Sequence, residues 1–330
     1  MSIMVTGGAG YIGAHVCDLL VARGQTVVIV DDLATGSAAR VPGIPILPVD
    51  LSDDDAPAAL SEMMTRHNVE SVVHFAARKQ VAESVERPAW YQRQNVGGLA
   101  NLLTAMRATT VSRLVFSSSA AVYGDADGVI AETHEAYPAN PYGQTKLEGE
   151  RLISAASNEW GLSAVSLRYF NVGGAARPEL GDTQALNLIP IVLDRLAEGS
   201  PPTIFGDDYP TPDGTCVRDY VHVSDVADAH LVVLDRLSAE AGHEIFNIGT
   251  GVGTSVREMI TALIAVAGSS LRPVVSSRRP GDSATVVADV SRIREAAGWT
   301  ARHGLEGIIS SAWDSRSYFD TLSRPEVNPS

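Results

Sequence analysis

Cysteine and long apolar runs are both scarce in this sequence. It contains two cysteines among 330 residues, Cys17 and Cys216, which are too few for a disulfide framework or for a cluster of thiolate metal ligands. No apolar run reaches the roughly 18 residues that a membrane-spanning helix needs. Met1 leads directly into a strand pattern rather than into a basic and apolar signal segment. We therefore expect a cytoplasmic protein that holds no metal and has no membrane partner.

Positive charge is also in deficit. The chain has 25 Lys and Arg against 39 Asp and Glu, which gives a formal net charge of −14. Such a field repels nucleic acid and anionic membranes, so neither is expected as a partner. A small anionic ligand is still allowed, provided that a few arginines and lysines are gathered at one place.

A glycine-rich turn opens the chain. Residues 2–6 have the apolar pattern of a buried parallel strand, and Gly7, Gly10 and Gly13 follow before an amphipathic helix that runs to about Ala22. Glycines at these places let the backbone approach a pyrophosphate, which the N-terminus of the helix then faces with unpaired N–H groups. A purely structural turn is the alternative, but the strand–turn–helix context favours a dinucleotide site.

The next strand, residues 26–30, ends in Asp31 and Asp32. An acidic residue at this place accepts hydrogen bonds from an adenosine ribose and repels a 2′-phosphate, so NAD is favoured over NADP. The alternative role for Asp31 is that of a helix cap.

Strand and helix patterns alternate through the first half of the chain. Further strands are predicted at 46–49, 72–75, 114–116 and 164–169, and long helices at about 89–108 and 141–160. This alternation predicts an α/β fold with a doubly wound, Rossmann-type parallel sheet. We expect an NAD-binding domain at 1–170 and a smaller mixed α/β lobe at 171–330 that binds substrate, with about 215–250 returning to the first domain.

The start of the second long helix carries a candidate acid–base pair. Asn140 can cap this helix and Pro141 suits its first position. Tyr142 and Lys146 then stand four residues apart and share a face. We expect the lysine ammonium to lower the pKa of the phenol towards neutrality, so that Tyr142 can act as a general base near pH 7. Ser119 follows the strand at 114–116, where parallel sheets bind ligands.

With the three glycines, Ser119 and Tyr142-x-x-x-Lys146 in place, the chain resembles the extended short-chain dehydrogenase/reductase family. Stretches at 116–124, 167–171, 205–214 and 217–222 resemble the UDP-glucose 4-epimerases within it, over nearly all of residues 2–322. The resemblance implies an isomerase that interconverts UDP-glucose and UDP-galactose through a transient 4-keto sugar and NADH. Tyr142 would take the proton of the 4-hydroxyl, Ser119 would bond the sugar oxygen, and Lys146 would hold the nicotinamide ribose.

The motifs and the resemblance together imply two sets of binding residues. The set around NAD comprises Gly7, Gly10, Tyr11, Ile12, Gly13, Asp31, Asp32, Leu33, Asp50, Leu51, Phe75, Ala76, Ala77, Lys79, Asn95, Ser117, Tyr142, Lys146 and Phe170. The set around the UDP-sugar comprises Lys79, Ser119, Tyr142, Asn171, Asn187, Leu188, Thr203, Phe205, Arg218, Tyr220, Arg279, Asp282 and Val286. Arg218 and Arg279 supply the local cations that a diphosphate needs. An ion pair to Asp219 or another neighbouring acid is the alternative role for Arg218.

Some positions depart from the family pattern or bear on the substrate. Val172 follows Asn171 where the family usually has proline, which leaves the shape of that loop open. Relatives that dehydrate nucleotide sugars carry an Asp-Glu pair where this chain has Ala120 and Ala121, so a dehydratase is not expected. Val286 matches a pocket position where a bulky tyrosine restricts the sugar, and a small residue there would admit UDP-N-acetylhexosamines.

Other functions remain open at the level of sequence. The chain could epimerise a different UDP-sugar, such as a UDP-uronic acid or a UDP-pentose. It could also be a non-catalytic NAD-binding regulator, although such proteins typically lack the tyrosine or the lysine. The resemblance further implies a homodimer in which the helices at about 89–108 and 141–160 pack against the same pair of a second copy.

Overall fold

A parallel sheet is the centre of the structure, a computed structural model that describes residues 1–237, 242–279 and 281–322. The strands, in chain order, are β1 Ser2–Thr6, β2 Thr26–Val30, β3 Ile46–Leu47, β4 Ser71–His74, β5 Arg113–Ser119, β6 Gly128–Ile130, β7 Ser163–Tyr169, β8 Asn171–Gly173, β9 Thr203–Phe205, β10 Val217–His222, β11 Gly242–Ile248, β12 Gly253–Ser255, β13 Val274–Ser276 and β14 Thr285–Ala288. The helices are α1 Tyr11–Ala22, α2 Ala56–Arg66, α3 Val81–Glu86, α4 Pro88–Tyr91, α5 Gly98–Ala108, α6 Pro141–Trp160, α7 Leu188–Ala197, α8 Val223–Arg236, α9 Val256–Val266, α10 Ser291–Ala297 and α11 Leu305–Leu322.

Seven strands form the large sheet in the order β11-β7-β5-β4-β1-β2-β3, and each neighbouring pair is parallel. Apolar residues of α1 and α8 pack on one face of the sheet, while those of α2, α5 and α6 pack on the other. The predicted doubly wound α/β fold is confirmed. Strands β2 and β3 extend the sheet on one side of β1, and the chain then crosses over so that β4 extends it on the other side. This reversal of strand order creates the crevice where such sheets bind ligands.

Local sequence explains most of these elements. Every residue of β1 is buried, as its largely apolar pattern indicates, and every residue of β7 is buried although Ser163, Ser166 and Arg168 are polar. Strand β3 is shorter than the predicted 46–49, because Pro48 has no N–H to continue the ladder. The predicted helix at 89–108 consists of α4, a π-helical segment at Gln92–Gly97, and α5.

A second, smaller lobe stands at the carboxyl ends of the large sheet. Its sheet has the order β12-β10-β14-β6, with β8 also paired to β10, and β9 pairs separately with β13. Residues of α7, α9 and α11 form its apolar core. Strand β11 joins the large sheet beside β7, and α8 packs on that sheet. A domain boundary near residue 170 stays a prediction.

Three features considered from the composition can be examined in the described residues: membrane-spanning helices, metal-binding clusters and the cysteines. Within them, no helix is long and apolar enough to cross a membrane. No group of three or more His, Cys, Asp or Glu side chains in this part of the chain is arranged to hold a metal ion. Cys17 and Cys216 are both free and buried.

Candidate active site

A cavity of about 840 Å³ runs along the carboxyl ends of the strands, from the glycine turn to the smaller lobe. It contains most of the residues that the sequence predicts for a dinucleotide and a sugar nucleotide. The predicted residues that line it are Gly7, Gly10, Tyr11, Ile12, Gly13, Asp31, Asp32, Asp50, Leu51, Phe75, Ala76, Ala77, Lys79, Ser117, Ser119, Tyr142, Lys146, Phe170, Asn171, Asn187, Arg218, Asp282 and Val286. Both ligands would therefore meet in one continuous space.

The glycine turn lies at one end of this cavity. Gly7 has a φ of +69°, and a Cβ on Gly13 would lie 2.3 Å from the Gly7 carbonyl oxygen, so both positions require glycine. Gly10 precedes α1 without a side-chain cap, and its own Cβ would meet nothing closer than 3.2 Å. Tyr11, Ile12 and Gly13 at the start of α1 line the cavity beside this tight turn, which fits a pyrophosphate.

Asp31 and Asp32 lie beside the turn, at the end of β2. The Asp31 carboxylate accepts hydrogen bonds from the backbone N–H of Ala9 and of Leu33, each at 2.9 Å. Burial raises the pKa of Asp31, although these two bonds oppose the shift. Asp32 forms an ion pair with Arg78. Since a carboxylate has about four lone-pair directions, Asp31 retains capacity for ribose hydroxyls.

Asn95 was predicted to hold NAD, but it is not one of the described residues that line the cavity. Its amide accepts from the backbone N–H of Arg78 at 2.7 Å and donates to the Arg78 carbonyl at 2.9 Å. It also donates to the Thr145 hydroxyl at 2.9 Å. Asn95 therefore shapes the loop after β4 and ties it to α6.

The candidate reaction centre lies where β5 ends and α6 begins. Asn140 caps α6 as predicted, because its side chain accepts from the Gly143 N–H at 2.9 Å. The Ser119 side chain lies beside the Tyr142 phenol and acts to lower its pKa. The Lys146 ammonium donates to the Ser117 carbonyl at 2.8 Å and lies 6.0 Å from the centre of the Tyr142 ring. The three predicted catalytic residues are thus brought together at the wall of the cavity.

The expected lowering of the Tyr142 pKa towards neutrality is wrong. Burial raises the pKa of the Tyr142 phenol, and the Ser119 side chain only partly opposes this. Burial also lowers the pKa of Lys146 to about 7, against the charge of Glu150, which raises it. Sequence spacing indicates that the two side chains share a face, but it does not show how far both are removed from water.

Behind the centre lies a buried ion pair that the sequence did not indicate. Glu150 accepts from Arg168 at 2.9 and 2.6 Å and from the Ser118 hydroxyl at 2.6 Å. The side chains of Arg168 and Glu150 are 5% and 4% exposed, so the pair is fully enclosed. The position of Glu150 four residues after Lys146 was the available signal, since it places both on one helix face.

The smaller lobe contributes the far end of the cavity. Arg218 donates to the carbonyls of Val217 and Ser283 at 2.9 Å each. It also lies 3.7 Å from Asp282, so its acidic partner is Asp282 rather than Asp219. Asn171 donates to the Asp219 carbonyl at 3.1 Å.

Six further predicted residues do not line this cavity in the described structure: Leu33, Leu188, Thr203, Phe205, Tyr220 and Arg279. Arg279 lies over the Phe205 ring at 4.9 Å and pairs with Asp282 at 2.9 Å, which places these two residues beside the rim. Tyr220 is buried in the apolar core of the smaller lobe.

Several lining residues were missed at the level of sequence, among them Thr35, Gly36, Arg40, Gln94 and Asp182. Gly36 lies so close to the Asp31 carboxylate that a Cβ would come within 2.8 Å of it. Arg40 reaches across to the Gly181 carbonyl at 2.9 Å and the Thr183 hydroxyl at 3.0 Å. The proximity of Thr35 and Gly36 to Asp31 in sequence was a signal, whereas nothing local indicates the partners of Arg40.

Comparisons with known proteins show the family to which the chain is similar. A family model described as the NAD dependent epimerase/dehydratase family matches residues 3–249. A UDP-glucose 4-epimerase of Corynebacterium glutamicum is 43% identical over 319 residues, which cover 95% of each chain.

Two solved structures are similar over nearly the whole chain. One is a UDP-glucose 4-epimerase from Stenotrophomonas maltophila with bound NAD and formylated UDP-arabinopyranose, with a TM-score of 0.93, 38% identity and coverage of 98% of this chain and 100% of that one. The other is a UDP-glucose 4-epimerase from Brucella ovis in complex with NAD, with a TM-score of 0.89, 39% identity and coverage of 94% and 97%.

Proposed function

The chain belongs to the NAD dependent epimerase/dehydratase family, and from that premise we propose how its own residues perform the reaction. The protein is an NAD-dependent isomerase that inverts C4 of a UDP-hexose and interconverts UDP-glucose and UDP-galactose. The observation that carries the residue assignment is the meeting of Ser119, Tyr142 and Lys146 between the glycine turn and Arg218, in one cavity. The roles below are proposals for those residues.

The first half of the cavity holds the cofactor. The N-terminus of α1 binds the pyrophosphate, and Asp31 receives ribose hydroxyls beside Gly36. Lys146 holds the nicotinamide ribose while its ammonium stays on the Ser117 carbonyl. When bound, NAD supplies the redox step, since it accepts a hydride from C4 of the sugar and later returns it.

Tyr142 moves the proton at the sugar 4-hydroxyl. Its phenolate takes this proton as the alcohol is oxidised, and the phenol gives it back when the 4-keto sugar is reduced. The Ser119 side chain favours the phenolate, whereas burial favours the phenol. These opposing effects let one side chain serve in both directions.

The second half of the cavity holds the UDP. Arg218 offers its guanidinium to the diphosphate and is kept in place by two backbone carbonyls. Asp282, 21% exposed, accepts from the uridine ribose. If the sugar turns about its link to the diphosphate, the opposite face of C4 meets the cofactor while UDP stays anchored.

Val286 lies in the wall of the sugar end and bears on the substrate range. A valine leaves more room than a tyrosine would, so we propose that UDP-N-acetylglucosamine and UDP-N-acetylgalactosamine are also interconverted. Val286→Tyr should remove the N-acetyl activity and leave the activity on UDP-galactose. Absence of N-acetyl turnover by the wild-type protein would reject this extension alone.

A panel of UDP-sugars tests the function. Purified protein is incubated with UDP-glucose, UDP-galactose, their N-acetyl forms, UDP-glucuronate and UDP-xylose, and the products are separated by chromatography. We expect interconversion of UDP-glucose and UDP-galactose at the highest kcat/KM. Faster turnover of UDP-glucuronate or UDP-xylose would replace the proposed hexose by a uronate or a pentose.

We also propose a homodimer in a reducing compartment such as the cytoplasm. A groove of about 510 Å³ lies between α4 and the start of α6, lined by Pro88, Gln92, Pro141 and Gln144 among others. A second copy could bury this groove together with the outer faces of α5 and α6. The two free cysteines suit a compartment that keeps thiols reduced. Light scattering of the purified protein should give twice the 34.8 kDa of one chain, and a monomer would reject the dimer.

A further inference from the structure

Tyr169 and His230 form a buried polar pair at the cavity wall, and the reaction described above uses neither. Tyr169 ends β7 and lies opposite Ser119 in the register of the sheet. It lines the cavity, whereas His230 of α8 has no exposed surface. The Tyr169 oxygen and the His230 Nε2 atom are 2.5 Å apart.

The direction of this hydrogen bond follows from the other nitrogen of the imidazole. His230 Nδ1 lies 2.8 Å from the Val226 carbonyl oxygen, which can only accept, so Nδ1 carries a proton. Burial lowers the pKa of His230 to about 4, so the ring is neutral at pH 7 and Nε2 is an acceptor. Tyr169 therefore donates a hydrogen bond to His230 and can only accept hydrogen bonds from its other neighbours.

One of these neighbours connects the pair to the reaction centre. The Ser117 side chain lies beside the Tyr169 phenol and opposes the rise that burial causes in its pKa. The carbonyl of the same serine accepts from the Lys146 ammonium at 2.8 Å. The ring of His230 also packs against Phe75 at 4.7 Å, and Phe75 belongs to the cavity wall.

We propose that Tyr169 and His230 are a positioning pair for the reaction at C4. His230 accepts a hydrogen bond from the Tyr169 phenol, and the Tyr169 oxygen accepts one from the Ser117 hydroxyl. The Ser117 carbonyl in turn fixes the Lys146 ammonium near Tyr142. The pair touches neither C4 nor the transferred proton, so it acts through Lys146. This inference rests on the proposed function.

The pH dependence of activity distinguishes such a role from a purely structural one. A hydrogen bond to the Ser117 carbonyl favours the charged form of Lys146, so loosening it lowers the pKa of that lysine. The other groups that face Lys146 are Glu150 on its own helix, which raises its pKa, Tyr142 one turn earlier, and His74 of β4, whose own pKa the Lys146 charge helps to lower. These groups are unchanged in the variants below.

The test compares Tyr169→Phe, His230→Leu, His230→Gln and the double variant Tyr169→Phe/His230→Leu with the wild type. We measure kcat and KM for UDP-galactose between pH 5.5 and 9, together with the NAD content and the melting temperature of each protein. Tyr318→Phe on the outer helix α11 is the control, since its ring is partly exposed and lies outside the cavity.

We expect Tyr169→Phe and His230→Leu to lower kcat by about 10- to 100-fold, with KM changed by less than about threefold. As the pH rises, these variants should also lose activity at a lower pH than the wild type does. The amide oxygen of His230→Gln can accept the phenolic proton, so this variant should recover part of the loss. Because the two residues act as one unit, the kcat of the double variant should be no lower than that of the less active single variant.

If Tyr169→Phe has the kcat and the pH profile of the wild type, the proposed positioning role of the pair is wrong. Losses that multiply in the double variant would contradict it as well. Tyr169→Phe removes a single oxygen, so it decides the question even if His230→Leu does not fold. An inactive wild type would instead overturn the proposed function, and the two failures are thereby distinguished.

Discussion

Desolvation dominates the electrostatics of the reacting residues. It pushes the pKa of Tyr142 up and that of Lys146 down to about 7, so each neutral form is favoured more than it is in water. The sequence predicts which residues stand together, because four residues make about one helical turn. It does not predict the shifts, because the depth of burial depends on β5, β7 and the helix α6 packing together.

Glu150 is expected to keep Lys146 protonated in the working range. Activity that needs the ammonium is present below the pKa of Lys146 and is lost as the pH rises through about 7. Removing the negative charge in Glu150→Gln lowers that pKa further, so the alkaline loss of kcat/KM should move to lower pH. Profiles of kcat/KM against pH, with Glu159→Gln on the exposed end of α6 as control, measure this.

The same change leaves Arg168 as a buried cation without its partner. We therefore expect the free energy of unfolding to fall by about 3–5 kcal/mol, measured by denaturant titration. Rates are to be expressed per mole of folded protein. A Glu150→Gln profile that coincides with the wild-type profile would contradict the electrostatic role.

At the scale of elements, the strands and helices near the site are largely readable from the sequence. Buried apolar runs predict β1, β2 and β4, and the Asn140-Pro141 start of α6 is confirmed down to its capping bond. The π-helical segment at Gln92–Gly97 was not predicted, because hydrophobic periodicity does not distinguish it from an α-helix. Nor were the strands of the smaller lobe, which are three to six residues long and pair across distant parts of the chain.

The glycine turn gives a prediction at this scale. A methyl group on Gly13 would lie 2.3 Å from the Gly7 oxygen and 2.9 Å from the Gly8 Cα, and these backbone atoms cannot move away cheaply. Gly13→Ala should therefore lower the free energy of unfolding by about 1–3 kcal/mol and reduce the NAD that copurifies with the protein.

Gly307→Ala in α11 is a matched control, since its Cβ would meet His303 at an ordinary 3.6 Å. We expect that variant to stay within about 1 kcal/mol of the wild type and to keep its NAD. Equal NAD content in Gly13→Ala and the wild type, measured by absorbance after denaturation, would argue against the turn as the pyrophosphate site.

At the scale of the molecule, the loop after β8 ties the two ends of the cavity together. Tyr11, at the start of α1, donates to the Gly174 carbonyl at 2.5 Å, and Arg40 donates to the Gly181 carbonyl at 2.9 Å. The same loop continues to Asn187, which lines the sugar end of the cavity. The family resemblance implied Tyr11 and Asn187 separately, but these bonds between distant parts of the chain arise only from the tertiary arrangement.

Arg40→Met is expected to loosen this connection while it keeps most of the packing of the side chain. We expect faster release of NAD and a higher KM for UDP-galactose, by about fivefold or more, because two hydrogen bonds of a partly buried cation are lost. NAD retained after gel filtration measures the effect. Arg23→Met, which removes an exposed ion pair to Asp235, should change neither quantity.

The most direct measurement follows Tyr142→Phe loaded with NAD and mixed rapidly with UDP-galactose. Interconversion of the sugars and the absorbance of the reduced cofactor are recorded against the wild type. Since Tyr142 alone moves the proton of the 4-hydroxyl, both rates should fall by about 100- to 10,000-fold, with NAD content and UDP affinity unchanged. Turnover close to that of the wild type, by a variant that still holds NAD, would contradict this assignment.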